Sequence, residues 1–155
     1  LWDSQQLNAQ GIAVVESNRG GDITYHGPGQ LVAYPIIELP DNRDLHRYLR
    51  NLEQVLINAI GCLGLAAHRK TDKTGVWLKD HKLAAIGVAA RRGVAYHGFA
   101  LNVNTDLAAF QGIVPCGIPS NEGQVSSLSK ELGQILDLGE VKAIVAKEFW
   151  TVFRK

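Results

Sequence analysis

Apolar side chains at Leu45, Tyr48, Leu49, Leu52, Val55, Leu56, Ala59 and Ile60 recur every three or four positions, the spacing that gathers them on one helical face. Asp44 in front offers a capping oxygen and Gly61 behind offers a stop, so a helix is predicted between them. A second helix is predicted from Glu140, with Val141, Ile144, Val145, Phe149, Val152 and Phe153 turned inward. Between them the pattern shortens to strand-sized runs at 66–69, 75–79, 82–91 and 96–104, with turns at 70–74, Asp80-His81 and Arg92-Gly93. Arg92-Gly93 predicts an antiparallel hairpin. Upstream, 12–16 reads as a short strand and 30–39 as a second one, in which Pro35 lacks a donor and calls for an edge or a bulge. A short helix is expected over 106–111. Strands grouped centrally with helices flanking them predict the α+β class, a mostly antiparallel sheet packed with helices.

The chain has 155 residues, 46% of them hydrophobic and 20% charged, enough for the core of one domain spanning 1–155. A formal net charge of +1 gives no general attraction to nucleic acid. No apolar run approaches the roughly 20 residues that span a bilayer, and the start Leu1-Trp-Asp-Ser lacks a signal peptide's basic and apolar regions, so a soluble cytoplasmic domain is expected. Two cysteines, Cys62 and Cys116, make a disulfide framework improbable, and Cys62 is expected to pack as a small hydrophobe at its helix end. Methionine is absent even at position 1, so the chain is expected to begin inside a longer translated product.

Candidate chemistry sits in four places. The loop Arg19-Gly-Gly-Asp-Ile-Thr-Tyr-His-Gly-Pro-Gly-Gln30 has glycines that let a ligand approach main-chain donors, and Arg19 and His26 add directed polar groups. Read from glycine content alone, it fits a tight hairpin with a buried histidine better than a ligand loop. Lys82 opens the apolar run Leu83-Ala-Ala-Ile-Gly-Val-Ala89; if the strand draws its stem inward, burial disfavours its charge and equips it to exchange protons, and otherwise it is a solvated lysine. Gly87 inside that strand suggests close approach by a ligand or another backbone, and His97-Gly98 lies among small residues where a histidine is ordinarily structural. Cys116, between Pro115 and Gly117, is either a nucleophile with free amides after it or a packed side chain. A metal site from Cys116, His26 and His97 has no ligand spacing to support it.

Taken together, Arg19 to Gln30, Lys82 with Ala85-Ile86-Gly87, His97-Gly98-Phe99-Ala100-Leu101-Asn102 and Pro115-Cys116-Gly117-Ile118 resemble the octanoyltransferases of lipoate biosynthesis, the LipB family, in order and from about residue 12 onward. The resemblance implies the fold of the biotin and lipoate protein ligase catalytic domain. It implies transfer of octanoyl from octanoyl-acyl carrier protein to a lysine of lipoyl domains, those of 2-oxoacid dehydrogenase complexes and of the glycine cleavage H protein, with no cofactor, metal, nucleic acid or membrane partner. Carried over residue by residue, Cys116 becomes the thioester nucleophile and Lys82 the cation that favours its thiolate. Arg19, Gly20, Gly21, Asp22, Ile23, Thr24, Tyr25, His26, Ala85, Ile86, Gly87, Gly98, Phe99 and Ala100 become walls and donors of the acyl site, with His97 in support. Lys82 would take the thiol proton, return it to the departing sulfur and later deprotonate the acceptor amine. Arg47, Arg50, Arg69, Lys70, Lys73, Arg91 and Arg92 offer charge for docking an acidic carrier protein, or simply solvate the surface. Members of that family usually carry several dozen further residues before the point where this chain begins. The alternatives are an ATP-dependent lipoate or biotin ligase, a lipoyl or octanoyl amidotransferase working through cysteine, and a non-catalytic acyl-binding module.

Overall fold

The computed structural model describes residues 2–40, 44–113 and 124–154. The predicted long helix is α2, Leu45–Cys62, following a short α1, Ser4–Ala9, that the apolar pattern did not reveal. Asp44 caps α2 by accepting from Arg47 N at 2.9 Å, and the helix continues through Gly61 to Cys62. Cys62 is exposed, so it does not pack as expected: the apolar stripe ends at Ile60, and position 62 has rotated to the solvent side. The last helix, α4 (Leu138–Phe153), starts two residues before Glu140 because Asp137 accepts from Glu140 N at 2.8 Å. The short helix appears as a 3-10 turn, Leu107–Gly112, and α3 (Leu128–Leu132) lies between Ser127 as its cap and Gly133 in the left-handed conformation.

The sheet is formed by β1 (Gln30–Ala33), β2 (Ile37–Glu38), β3 (His68–Lys70), β4 (Lys73–Leu78), β5 (His81–Arg91), β6 (Val94–Asn102) and β7 (Gln124–Val125). Its order is β1-β6-β5-β4-β3, with β2 continuing on β6 where β1 leaves it. Those pairs are antiparallel, and only β7 runs parallel, to β5. The sheet is therefore mostly antiparallel, as predicted. The 30–39 run is broken around Pro35 into β1 and β2 on the sheet edge. The ladder between β5 and β6 reaches only to Ala84, so β7 fills the side of β5 left open at His81 and Lys82.

One face of the sheet carries the core. Leu52, Leu56 and Ile60 of α2 and Val141 and Val145 of α4 pack against Val76, Leu83, Ile86, Val88, Phe99 and Leu101. The expected strand at 12–16 is not a strand. Ile12 N turns back to Leu7 O at 2.9 Å, and the segment crosses the face opposite the helices, where Ile12 and Val15 line a cavity. No helix among the described residues is long and apolar enough to cross a membrane.

Candidate active site

Strand alternation sends Ala84, Ile86 and Val88 to the helix face and Ala85 and Gly87 to the opposite face. Carried on unbroken, that alternation would send Lys82 in among the helices. It does not, because β4 and β5 lose register: Val76 pairs with Ala84 and Trp77 with Lys82, leaving an extra residue in β5. This β-bulge puts Leu83, fully buried, into the core and re-aims Lys82 to the face of Ala85 and Ala100. Lys82 is 6% exposed, its Nζ sits 5.5 Å from the centroid of the Trp77 ring, and it makes no ion pair among the described residues.

The stem of Lys82 lies in a notch that only glycine can leave open. Gly75 adopts φ +132°, and a Cβ there would stand 2.6 Å from Ala84 O and 2.8 Å from Lys82 Cε. Gly75 N donates to Glu53 Oε1 at 3.1 Å, and the other oxygen of that 1%-exposed carboxylate accepts from Arg50 Nη1 at 2.8 Å and Arg69 Nε at 3.0 Å. Two of the cations considered for docking are thus committed to a buried anion. A third, Lys70, pairs with Asp80 at 2.7 Å, a hydrogen bond and charge that hold the Asp80 carboxyl below the usual range.

Beyond Lys82 the same face opens into a cavity of about 510 Å³, within the size range of small-molecule pockets. Gly87 and Gly98 lie opposite each other in the β5–β6 ladder and form part of its floor with Ala85 and Ala100. At Gly87 a Cβ would meet Arg19 Cδ and Gly20 O at 2.7 Å, because the loop crosses there and Gly20 N donates to Val88 O at 2.9 Å. At Gly98 a Cβ would collide with Ala33 O. Of the residues expected at the site, Arg19, Gly21, Thr24, Tyr25, His26, Ala85, Ile86, Gly87, His97, Gly98, Phe99 and Ala100 line this cavity. Gly20, Asp22 and Ile23 do not: Gly20 serves as the backbone clasp, Asp22 accepts from Ile23 N at 2.7 Å, and Ile23 is 45% exposed. A smaller recess, shared by Lys82, Gln30, Asn102, Phe110 and Val125, adjoins the cavity through Thr24, Ala85 and Ala100. Cys116 lies outside the described residues.

His97 is a fastener. Its Nε2 donates to Asn18 Oδ1 at 2.8 Å, and Asn18 Nδ2 donates to the Tyr96 hydroxyl at 2.8 Å, tying the crossing segment to β6. Below Lys82, Ser126 Oγ donates to Glu131 Oε1 at 2.5 Å, and His81 Nδ1 lies 2.7 Å from the same oxygen. Burial pushes the Glu131 carboxyl up, but the bonds from Ser126 and His81 together with nearby positive charge outweigh it and hold the group low. Glu53 and Gly75 were given no role from the sequence, and Gln30 and Asn102 stood inside the quoted motifs without one. A glycine inside a strand-like run and a glutamate inside the apolar stripe of α2 were the available signals for two of them.

The model of the lipoyl protein ligase A/B catalytic domain matches residues 1–150. An octanoyltransferase of Geobacter metallireducens is 55% identical over 140 residues, which is 90% of this chain and 65% of that protein. The chain therefore spans slightly less than two thirds of that relative's length. Among solved structures, lipoate-protein ligase A bound with ATP superposes with a TM-score of 0.84 at 20% identity, covering 98% of this chain and 63% of that one. Biotin protein ligase from Aquifex aeolicus superposes with a TM-score of 0.65 at 17% identity over 82% of this chain and 53% of its own. At those identities the likeness establishes the fold, and it is the one the motifs implied. The bulge-aimed lysine, the glycine-floored cavity and the loop clasped over it are thus features of a chain that belongs to the lipoyl protein ligase A/B catalytic domain family.

Proposed function

We propose that this chain is an acyltransferase that moves octanoyl from octanoyl-acyl carrier protein to a lysine of a lipoyl domain, through a thioester on Cys116. The observation that supports it best is Lys82, an ammonium 6% exposed and without a counter-ion among the described residues, bordering a recess continuous with the cavity. A protein interior tolerates an uncompensated charge only at a cost, so its persistence points to chemistry. Cys116 stands in the chain between Phe110 and Val125, two residues that line the recess of Lys82. The naming of the relative as an octanoyltransferase supports the eight-carbon donor.

In the first half-reaction the Cys116 thiolate attacks the carrier thioester, a carbon–sulfur bond forms as another breaks, and Lys82 passes the thiol proton to the departing sulfur. Exchange of one thioester for another is nearly isoenergetic, so no ATP enters. In the second half-reaction the acceptor lysine displaces the sulfur and an amide results. The 2-oxoacid dehydrogenase lipoyl domains and the glycine cleavage H protein are the acceptors to try. Incubation with octanoyl-acyl carrier protein followed by intact-mass measurement and peptide mapping tests the reading: an octanoyl adduct on Cys116, lost in Cys116→Ser, is expected. An adduct elsewhere, or transfer that requires free octanoate and ATP, overturns it.

A further inference from the structure

Two histidines border the cavity, and their rings are bonded in opposite ways. His97 has its Nε2 occupied by Asn18. His26 is bonded through Nδ1, 2.7 Å from Gln30 Oε1, and its Nε2 has no partner among the described residues. The polarity of that bond is dictated from its far end. Asn102 Nδ2 donates to the Ser126 main-chain carbonyl at 3.1 Å, and a carbonyl can only accept, so Asn102 turns Oδ1 toward Gln30. Gln30 Nε2 donates to that Oδ1 at 2.9 Å and to the Tyr25 carbonyl at 3.2 Å. Gln30 Oε1 is then left facing His26, where it can only accept, so the proton of the neutral ring resides on Nδ1 and Nε2 is a lone pair.

The relay runs from an exposed ring at His26 to a buried inner end. Asn102 is 4% and Ser126 1% exposed, and Ser126 N donates to Lys82 O at 3.0 Å, so the chain of bonds ends on the backbone that pairs with Lys82. His26 meanwhile lines the large cavity, whereas Lys82 lines the smaller recess.

We propose that Gln30 and Asn102 are positioning residues that lock His26 as its Nδ1–H tautomer, so that the Nε2 lone pair accepts a proton from an amine bound in the cavity. The identity of the amine rests on the transfer reading above; the tautomer does not. In the second half-reaction the lysine nitrogen bonds to the thioester carbonyl carbon, the carbon–sulfur bond breaks with its electron pair on sulfur, and the surplus proton on nitrogen passes to His26 Nε2. The sulfur leaves as thiolate, His26 releases its proton to solvent, and Lys82 is needed only for the proton exchanged between the two sulfurs in the first half-reaction.

Long-range proton–nitrogen correlation spectra of the ¹⁵N-histidine-labelled chain at pH about 8.5, above the ordinary imidazole range, read the tautomer directly in the unmutated protein. A pyrrole-type Nδ1 and a pyridine-type Nε2 are expected for His26, assigned by their loss in His26→Asn. Gln30→Leu should mix the tautomers and slow the amine step by about 10-fold or more, well beyond any effect on acyl-enzyme formation. A protonated Nε2 in the unmutated chain overturns the proposal, as does a Gln30→Leu variant with mixed tautomers and an unchanged amine step. Failure of the acyl-enzyme to form would count against the transfer reading alone, since the tautomer is measured without substrate.

Discussion

Replacing Lys82 with methionine should make the protein more stable and inactive. Methionine is unbranched, of similar length and free of charge, so it can follow the same path over Gly75 without disturbing the notch. What it removes is a nearly buried amine with no ion pair among the described residues; an uncompensated neutral polar group costs about 1–3 kcal/mol and a charged one more, so that range is a lower bound. Against this stands the attraction of Nζ to the Trp77 ring at 5.5 Å, which returns about 0.5–2 kcal/mol depending on desolvation. On that lower bound the balance favours methionine by about 1 kcal/mol, which for a chain of this size raises Tm by about 2–4 °C. On the transfer reading proposed above, in which Lys82 carries the proton, its loss should lower octanoyl transfer by about 10² or more. Scanning calorimetry and a carrier-protein transfer assay on the same preparations read both quantities. A Tm lowered by several degrees would mean that the ammonium supports the fold, and an active Lys82→Met would mean that it serves no chemistry; either result refutes the reasoning.

Gly75→Ala puts a methyl against Ala84 O and Lys82 Cε at φ +132°, so a loss of about 2 kcal/mol and a displaced Lys82 are expected, read as a lower urea midpoint and slower transfer. The Tyr48 hydroxyl is buried without a partner among the described residues and burial pushes its pKa up to about 12, so the folded chain holds this proton more tightly than the unfolded one. The resulting stability is intact below pH 10 and is lost as pH rises toward 12; Tyr48→Phe should flatten that decline in denaturation midpoints, and an unchanged slope would count against it. Tyr48→Phe should also gain about 1 kcal/mol at neutral pH by deleting the orphaned group. Ala100→Leu projects three more carbons into the cavity floor, so acyl preference should shift toward chains about two to three carbons shorter, at about 0.8 kcal/mol per methylene no longer buried; an unchanged preference for octanoyl would place the chain elsewhere.

What could be read in the sequence was whatever neighbouring residues settle among themselves. The stripe from Leu45 to Ile60 and the oxygen of Asp44 specify α2 locally, and the Arg92-Gly93 turn specifies its hairpin, with Arg92 at φ +53° and Gly93 at φ +84°. The 12–16 run looks like a strand because its composition suits one, but a strand needs a ladder partner, and Ile12 N donates instead to Leu7 O at 2.9 Å behind α1. His26 and His97 look alike in sequence: Gln30 stands only four residues from His26, but Asn102, which orients it, and Asn18, which holds His97, arrive only through tertiary pairing. Glu53 was hidden for the same reason: its partners Gly75 and Arg69 lie beyond the helix that carries it.

The aim of Lys82 is the sharpest instance of this. Within β5 the period of two is intact from Ala84 to Val88, and by that rule Lys82 belongs to the helix face with Ile86. The rule fails at Leu83 because Val76 and Trp77 of β4 pair across an extra residue, which no window on β5 alone contains. A bulge weakens a ladder locally and is retained where it re-aims a side chain. Here it exchanges a leucine into the core for a lysine out of it, and the notch for that lysine is held open by Gly75 and, through Glu53, by α2. The local rule therefore breaks at the residue to which the chemistry is assigned. Deleting Leu83 removes the extra residue and leaves Lys82, opposite Trp77 and next to Ala84, still aimed at the cavity face. A lower urea midpoint from the lost core leucine is therefore expected while transfer is retained, whereas Lys82→Met should raise stability and abolish transfer.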